Sequence, residues 1–164
     1  MEPVVIPTKS LTISGLLTTE RIRVGLDVGT KENAIDAVVD LLGGSPEVND
    51  LKQLRTDVFA RERVMSTGVG KGLALPHART TAVSDTLVAF AVTKDPVEYG
   101  ALDGGPVRLI LLLVGPENER VEHVRLLARI SRMMNEGDFR SRLLDADSEE
   151  EVLVVFRMAE EAYG

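Results

Sequence analysis

Two histidines are the side chains of this sequence best suited to nucleophilic chemistry near neutral pH, because the chain has no cysteine. One of them, His77, ends the run STGVGKGLALPH over residues 66–77. A neutral imidazole can attack phosphorus through one ring nitrogen while a hydrogen bond at the other nitrogen fixes the tautomer. Pro76 locks its own φ and restricts the residue before it, so the placement of the imidazole is tightly controlled. The pattern indicates chemistry centred on one histidine.

The glycine-rich segment before His77 allows two interpretations. Thr67 and the alternating glycines after it resemble loops whose backbone N–H groups cradle phosphate, although glycines also cluster in ordinary turns. The order of elements does not fit a dinucleotide-binding fingerprint, and Lys71 is followed by glycine, unlike the lysine of a Walker loop. Ser66 lies outside any Gly-x-Ser-x-Gly elbow, which argues against a serine hydrolase.

Arg61 precedes this loop at the end of a predicted amphipathic helix. One interpretation is a surface cation, which is favourable at a helix C-terminus. The other is a phosphate clamp, because a guanidinium offers planar paired donors to an anion. Glu62, beside it, is interpreted as a solvated or salt-bridged carboxylate in preference to a general base.

The second histidine, His123, belongs to a predicted helix in which each residue advances by about 100°. The residues within roughly 60° of it are Leu126, Leu127, Ile130 and Met134. His123 is therefore predicted to lie within the buried stripe. It is either a core histidine satisfied by a backbone carbonyl, or a residue that reaches the mouth of the glycine loop to orient His77 or hold a phosphoryl oxygen.

The elements that position these residues follow from hydrophobic periodicity and caps. The predicted strands are 22–28, 87–92 and 107–114. The predicted helices are 31–42, a helix opening at Ser45-Pro46, a long helix from about 116 to 135, and two further helices at 138–144 and 148–162. This pattern predicts an α/β fold: a single domain with a mixed central β-sheet flanked by helices on both faces. Residues 1–10 are predicted to be a lead-in, and 11–164 to form the domain.

Composition limits the classes of partner. The net charge of −7 argues against nucleic acid and against adhesion to an anionic membrane. The N-terminus has no basic region followed by a long apolar run, so we expect no signal peptide. The longest apolar run, 109–114, is too short to cross a bilayer, so no direct membrane insertion is expected. We expect a cytoplasmic protein.

Taken together, Arg61-Glu62 and the loop that ends in Leu75-Pro76-His77 resemble the active-site signature of a known family. The family is the type 2 enzyme IIA domains of the bacterial phosphoenolpyruvate-dependent phosphotransferase system, its fructose, mannitol and nitrogen-regulatory branch. The resemblance extends to 31–42 as the family's first helix, to 103–107 as a strand entry, and to His123 as its second histidine. It covers about residues 11–160.

The resemblance implies a phosphotransferase component that works without a metal or organic cofactor. His77 would accept a phosphoryl group from the phosphorylated histidine phosphocarrier protein and pass it to an enzyme IIB subunit during sugar uptake. By matching positions, Arg61 and His123 would line the phosphoryl site, and Thr67 is assigned to it as well. Ala78 departs from the family, which usually has glycine there, so any need for positive φ would be strained.

Two other functions are weighed against this one. In the first, the phosphorylation state of His77 controls binding to regulatory target proteins through a charge change of about −1.5 to −2. In the second, the histidines serve a metal-dependent hydrolase, which is disfavoured because no His-x-x-His or His-Glu-x-x-His spacing is present.

Overall fold

A six-stranded mixed sheet forms the middle layer of the computed structural model, which describes residues 11–164. The predicted lead-in at 1–10 lies outside the described residues. The strands are β1 (Ile22–Leu26), β2 (Gly68–Gly70), β3 (Leu73–Ala74), β4 (His77–Arg79), β5 (Leu87–Val97) and β6 (Val107–Gly115). The helices are α1 (Ile13–Leu16), α2 (Lys31–Asp40), α3 (Leu51–Val64), α4 (Arg120–Met134), α5 (Gly137–Asp145) and α6 (Glu149–Tyr163), with a 3-10 turn at Thr19–Arg21.

The longest strands, β5 and β6, form an antiparallel pair in the middle of the sheet. β1 adds to β5 in parallel. On its other side β6 pairs in parallel with two short strands in succession, β3 and then β4, and β2 pairs with β3 as the outer strand. The segment that carries His77 is therefore hydrogen-bonded to the central strand β6.

Both faces of the sheet are buried, which explains why β5 and β6 are almost continuously apolar. Alternate residues of β6 contribute to two cores. One core lies against α1, α4, α5 and α6 and includes Leu109, Leu111 and Leu113. The other lies against α2 and α3 and includes Ile110, Leu112 and Val114. The predicted fold class, a single α/β domain with helices on both faces, is confirmed.

The start of α3 differs from the prediction. The sequence predicts a helix that opens at Ser45-Pro46, but α3 begins at Leu51, where the Asp50 carboxylate accepts a helix N–H as the N-cap. The residues before it form an isolated antiparallel bridge, Val48 with Val83. The prediction is wrong because this long-range pairing occupies the backbone that the helix would have used.

Four short elements were not predicted, namely α1, β2, β3 and β4. Each has only two to four residues, too few for a hydrophobic pattern to repeat along the element. None of the helices within residues 11–164 has the length and apolar character that crossing a membrane requires.

Candidate functional site

His77 lies at the start of β4, where its register partner on β6 is Leu113. The Leu113 N–H donates to the Pro76 carbonyl at 3.1 Å, so the residue before the histidine is also tied to the central strand. Ala78 is buried in the α2–α3 core, and side chains alternate along a strand, so His77 and Arg79 project to the opposite side, where α4 lies. The His77 side chain is half-buried.

The tautomer of His77 follows from one hydrogen bond. Its Nδ1 lies 2.8 Å from the carbonyl oxygen of Leu75. A carbonyl oxygen can only accept, so Nδ1 carries the proton and Nε2 keeps its lone pair. Burial lowers the pKa of the imidazole, the bond to Leu75 opposes that effect, and the nearby charge of Arg61 adds to the lowering. His77 is thus a neutral imidazole with Nε2 as its free nucleophilic nitrogen.

His123 lies in the first turns of α4 and is 5% exposed. Its ring centroid is 5.8 Å from that of His77, and the ring planes are inclined by 47°. Burial, with the charges of His77 and Arg79, lowers the pKa of His123 to about 4. Its predicted position in the buried stripe of the helix is confirmed, and the ring also reaches His77.

The orientation of the His123 ring distinguishes the two sequence interpretations. Its Nδ1 is buried and makes no hydrogen bond to any of residues 11–164. Gly115 lies beside this nitrogen, and a Cβ built there would be 3.5 Å from it. A core histidine satisfied by a backbone carbonyl is therefore not what the structure contains.

Arg61 borders the same cleft as the two histidines, near the C-terminal end of α3. Its Nη1 donates to the carbonyl oxygen of Met65 at 3.4 Å, which holds the side chain across the turn that follows the helix. The cleft has a volume of about 360 Å³. It is lined by Asp57, Arg61, His77, Ala78, Arg79, Arg120, His123, Val124 and Leu127.

The charge of this cleft is opposite to that of the chain. Arg61, Arg79 and Arg120 all line it, whereas the chain carries a net charge of −7. Asp57, the acidic residue of the lining, accepts hydrogen bonds from Thr80 and Gln53 and so has local partners. The Arg79 guanidinium donates to the Glu117 carbonyl at 3.0 Å, which fixes it at the entry to α4. Such an arrangement favours an anion beside the two imidazoles.

Arg79 and Arg120 were not predicted as site residues, although the spacing of each from a histidine indicates that it shares a face with that histidine. Arg79 is two residues beyond His77 in a strand, and side chains at this spacing share a face. Arg120 is three residues before His123 in a helix, where residues at this spacing are neighbours.

Thr67 is not part of the cleft lining. It is 4% exposed, and both its donors are engaged by Glu62: its N–H at 2.9 Å and its hydroxyl at 2.6 Å. The structure thus brings together Arg61, His77 and His123 around one cleft. Thr67 is instead buried against Glu62. Glu62 is buried and forms an ion pair with Lys31 at 2.8 Å, so of its two predicted forms the salt-bridged one is present.

Ala78 causes no backbone strain. It lies within β4, and among residues 11–164 Lys71 is the one non-glycine residue with positive φ, at 59°. Alanine therefore fits the position after His77 as well as glycine would. No group of three or more His, Asp or Glu side chains converges to hold a metal ion within residues 11–164.

Comparison with known proteins identifies the class to which this fold and site belong. The family model described as "Phosphoenolpyruvate-dependent sugar phosphotransferase system, EIIA 2" matches residues 15–158. The chain belongs to this family, and the resemblance predicted from the sequence is confirmed.

Individual relatives come from both the sugar and the nitrogen-regulatory branches. A fructose-specific EIIA component of Haloferax volcanii is 34% identical over 85% of this chain and 91% of its own length. A fructose-specific EIIABC component of Bacillus subtilis is 35% identical over 86% of this chain, which spans 22% of that larger protein. The crystal structure of nitrogen regulatory protein IIA-Ntr from Neisseria meningitidis has a TM-score of 0.82 at 33% identity, covering 88% of this chain and 98% of its own.

Proposed function

We propose that this chain is a phosphoryl carrier that accepts a phosphoryl group on Nε2 of His77. The observation that carries the proposal is the free Nε2 of a neutral His77, with the His123 ring centroid 5.8 Å from its own in an arginine-lined cleft. Membership of the EIIA family supports it independently.

In the proposed step, the lone pair of His77 Nε2 forms a new P–N bond. The P–N bond of the donor breaks, and its electron pair returns to the donor's ring nitrogen. The Nδ1 proton stays on His77, held by the Leu75 carbonyl. A loose phosphoryl transition state needs positioning and charge stabilisation, and no metal or organic cofactor takes part in the step as proposed.

Arg61 and His123 would contact the phosphoryl oxygens. Arg61 offers the paired planar N–H donors of a guanidinium. His123 has a buried Nδ1 beside Gly115, so the rest of its ring faces the cleft. Arg79 and Arg120 supply further positive charge around the same space.

The proposed donor is the phosphorylated histidine phosphocarrier protein, and the proposed acceptor is an enzyme IIB subunit in sugar uptake. The EIIABC name of the B. subtilis relative, which joins the A, B and C components in one protein, supports an enzyme IIB acceptor. The predicted cytoplasmic location stays a prediction.

The proposal is tested by incubating the protein with the phosphorylated carrier and measuring its intact mass. We expect one added phosphoryl group that is lost in acid, as for a phosphohistidine, and no addition to His77→Ala. A wild-type protein that stays unmodified, or a His77→Ala variant that labels normally, would contradict it.

A regulatory role is the second candidate, favoured by the similarity to IIA-Ntr of N. meningitidis. In that role the charge change on His77, about −1.5 to −2, alters the affinity of the cleft surface for a target protein. Pull-downs that compare His77→Ala with His77→Asp test it. If the two variants recover the same proteins as wild type, the switch does not exist.

A further inference from the structure

Glu62 is a buried carboxylate that the proposed transfer step does not use. Its side chain is 4% exposed. It accepts both the N–H and the hydroxyl of Thr67, at 2.9 and 2.6 Å, and its Oε1 lies 2.8 Å from the Nζ of Lys31. Three polar contacts from two different parts of the chain therefore hold this buried carboxylate in one position.

These contacts continue to the imidazole through two further hydrogen bonds. The carbonyl of Thr67 accepts the N–H of Leu75 at 2.9 Å. The carbonyl of Leu75 then accepts the Nδ1–H of His77 at 2.8 Å. Consecutive bonds thus connect the Glu62 carboxylate to the ring nitrogen that sets the His77 tautomer. The donor and acceptor groups of Thr67 belong to different peptide units, so the connection fixes positions and does not carry a proton.

The same carboxylate is next in sequence to Arg61. Glu62 contacts Thr67 just beyond the turn that follows α3, while Arg61 donates to the Met65 carbonyl in that turn at 3.4 Å. Arg61 and Glu62, two neighbouring residues near the end of α3, thus contact the chain on either side of Ser66. The contact with Met65 also holds the Arg61 guanidinium in place. The buried carboxylate therefore holds the segment that leads to the nucleophile, directly beside the turn that holds the cation.

Stability alone does not explain this arrangement. A buried ion pair is often no more stabilising than apolar side chains of the same volume, because both ions lose their hydration. Here Lys31 neutralises Glu62 and lies 4.6 Å from the centroid of the Tyr99 ring. The Tyr99 hydroxyl lies 3.1 Å from that of Thr67, and burial raises its pKa, so it stays protonated.

We propose that Glu62 is a positioning residue for His77: through Thr67 and Leu75 it fixes the carbonyl that holds Nδ1–H, and so keeps Nε2 free for phosphoryl transfer. This inference rests on the proposed function for its consequence, the rate of transfer. The effect on the His77 tautomer does not depend on any phosphoryl donor protein.

The test replaces the charge while keeping the size, in Glu62→Gln. Above the pKa of His77, 15N NMR of the imidazoles reports which nitrogen carries the proton. We expect wild-type His77 to be a single Nδ1–H tautomer and Glu62→Gln to be a mixture. We expect the rate of phosphoryl acceptance to fall roughly 10-fold to 100-fold, by analogy with the loss seen when a partner that orients a metal-ligating histidine is removed.

The chain offers a matched control at Glu160 in α6, on the face of the sheet opposite to α3 and Glu62. Its side chain is 7% exposed, and it accepts two backbone N–H groups and a hydroxyl from Ile13 and Ser14 and pairs with Arg129. Glu160→Gln therefore also removes a largely buried, paired charge, and Glu160 is not among the residues that line the cleft. We expect it to lower stability without changing the His77 tautomer or the rate.

Thr67→Val is a second variant, in case Glu62→Gln does not fold. It removes the hydroxyl bond to Glu62 and is expected to change the tautomer in the same direction. A folded Glu62→Gln or Thr67→Val protein with a single Nδ1–H tautomer and wild-type rate would overturn the positioning role. A wild-type protein that takes no phosphoryl group would overturn the proposed function instead, while the NMR result would still decide the tautomer.

Discussion

The imidazole of His77 and that of His123 are held beside each other by one strand, β6. His77 pairs with Leu113 on that strand, and Gly115 at its end lies against Nδ1 of His123. The 5.8 Å separation of the rings is therefore set by the central sheet and not by a loop. Geometry fixed in this way favours a site in which the groups around a transferred phosphorus are already in position.

His123→Gln is expected to slow phosphoryl acceptance by roughly 100-fold, the usual cost of removing one positioned donor at a charged transition state. The variant keeps a polar group on the same helix, so it is expected to fold. Rapid-quench measurement of labelling from the phosphorylated carrier checks this. A wild-type rate would show that the second histidine does not contact the phosphoryl group.

The depressed pKa of His123 predicts a specific loss of stability in acid. In the folded protein the pKa is about 4, against an ordinary value of 6.5. Protons therefore bind the unfolded chain first, and stability falls as pH drops from about 6.5 to about 4. This contribution is on the order of 3 kcal/mol when the two pKa values differ by that much. Urea unfolding of wild type and His123→Gln across this range measures it; equal pH dependence in both proteins would contradict the prediction.

Arg61→Lys is expected to lower the rate of transfer although the charge is retained. An ammonium group cannot reproduce the paired planar donors of a guanidinium. It would also alter the contact with the Met65 carbonyl. Steady-state kinetics with the phosphorylated carrier measures the effect, which we expect in kcat more than in KM. Arg63→Lys, on the same helix but outside the cleft lining, is the control and is expected to be unchanged.

Two glycines of the chain are expected to tolerate a side chain very differently, Gly68 in the glycine segment and Gly44 after α2. A Cβ at Gly68 would lie 2.8 Å from the Cα of Ala101, so Gly68→Ala is expected to cost about 1–3 kcal/mol by overpacking. Gly44 has nothing within 4 Å of the same position, so Gly44→Ala is expected to stay within about 0.5 kcal/mol of wild type. Denaturant midpoints compare the two variants. A neutral Gly68→Ala would mean that β2 can move away from Ala101 freely.

The fold was predictable where the hydrophobic pattern is long. β5, β6 and α4 each span several periods, and their predicted types are all confirmed. The start of α3 was not predictable, because the bridge between Val48 and Val83 is a contact between distant parts of the chain. Strands as short as β3 and β4 leave no periodic signal, since they exist only through pairing with β6.

The site was predictable in part for a related reason. His77 was proposed from residue type, and Arg61 and His123 from the family resemblance, but the proximity of the histidines depends on the register of β4 against β6. Thr67 shows the limit of this approach. Its place at the head of a glycine loop predicts a phosphate contact, whereas its neighbour in space is the carboxylate of Glu62.

The pairing of β4 with β6 also bears on how a partner protein meets this surface. The His77 backbone is hydrogen-bonded to the central strand β6, so moving it away would break that pairing. Under the proposed function, a donor or acceptor protein would therefore bring its reactive atom to a histidine whose backbone is held by the sheet. We therefore expect the backbone around His77 to change little when a partner binds, and any larger rearrangement to occur in the partner.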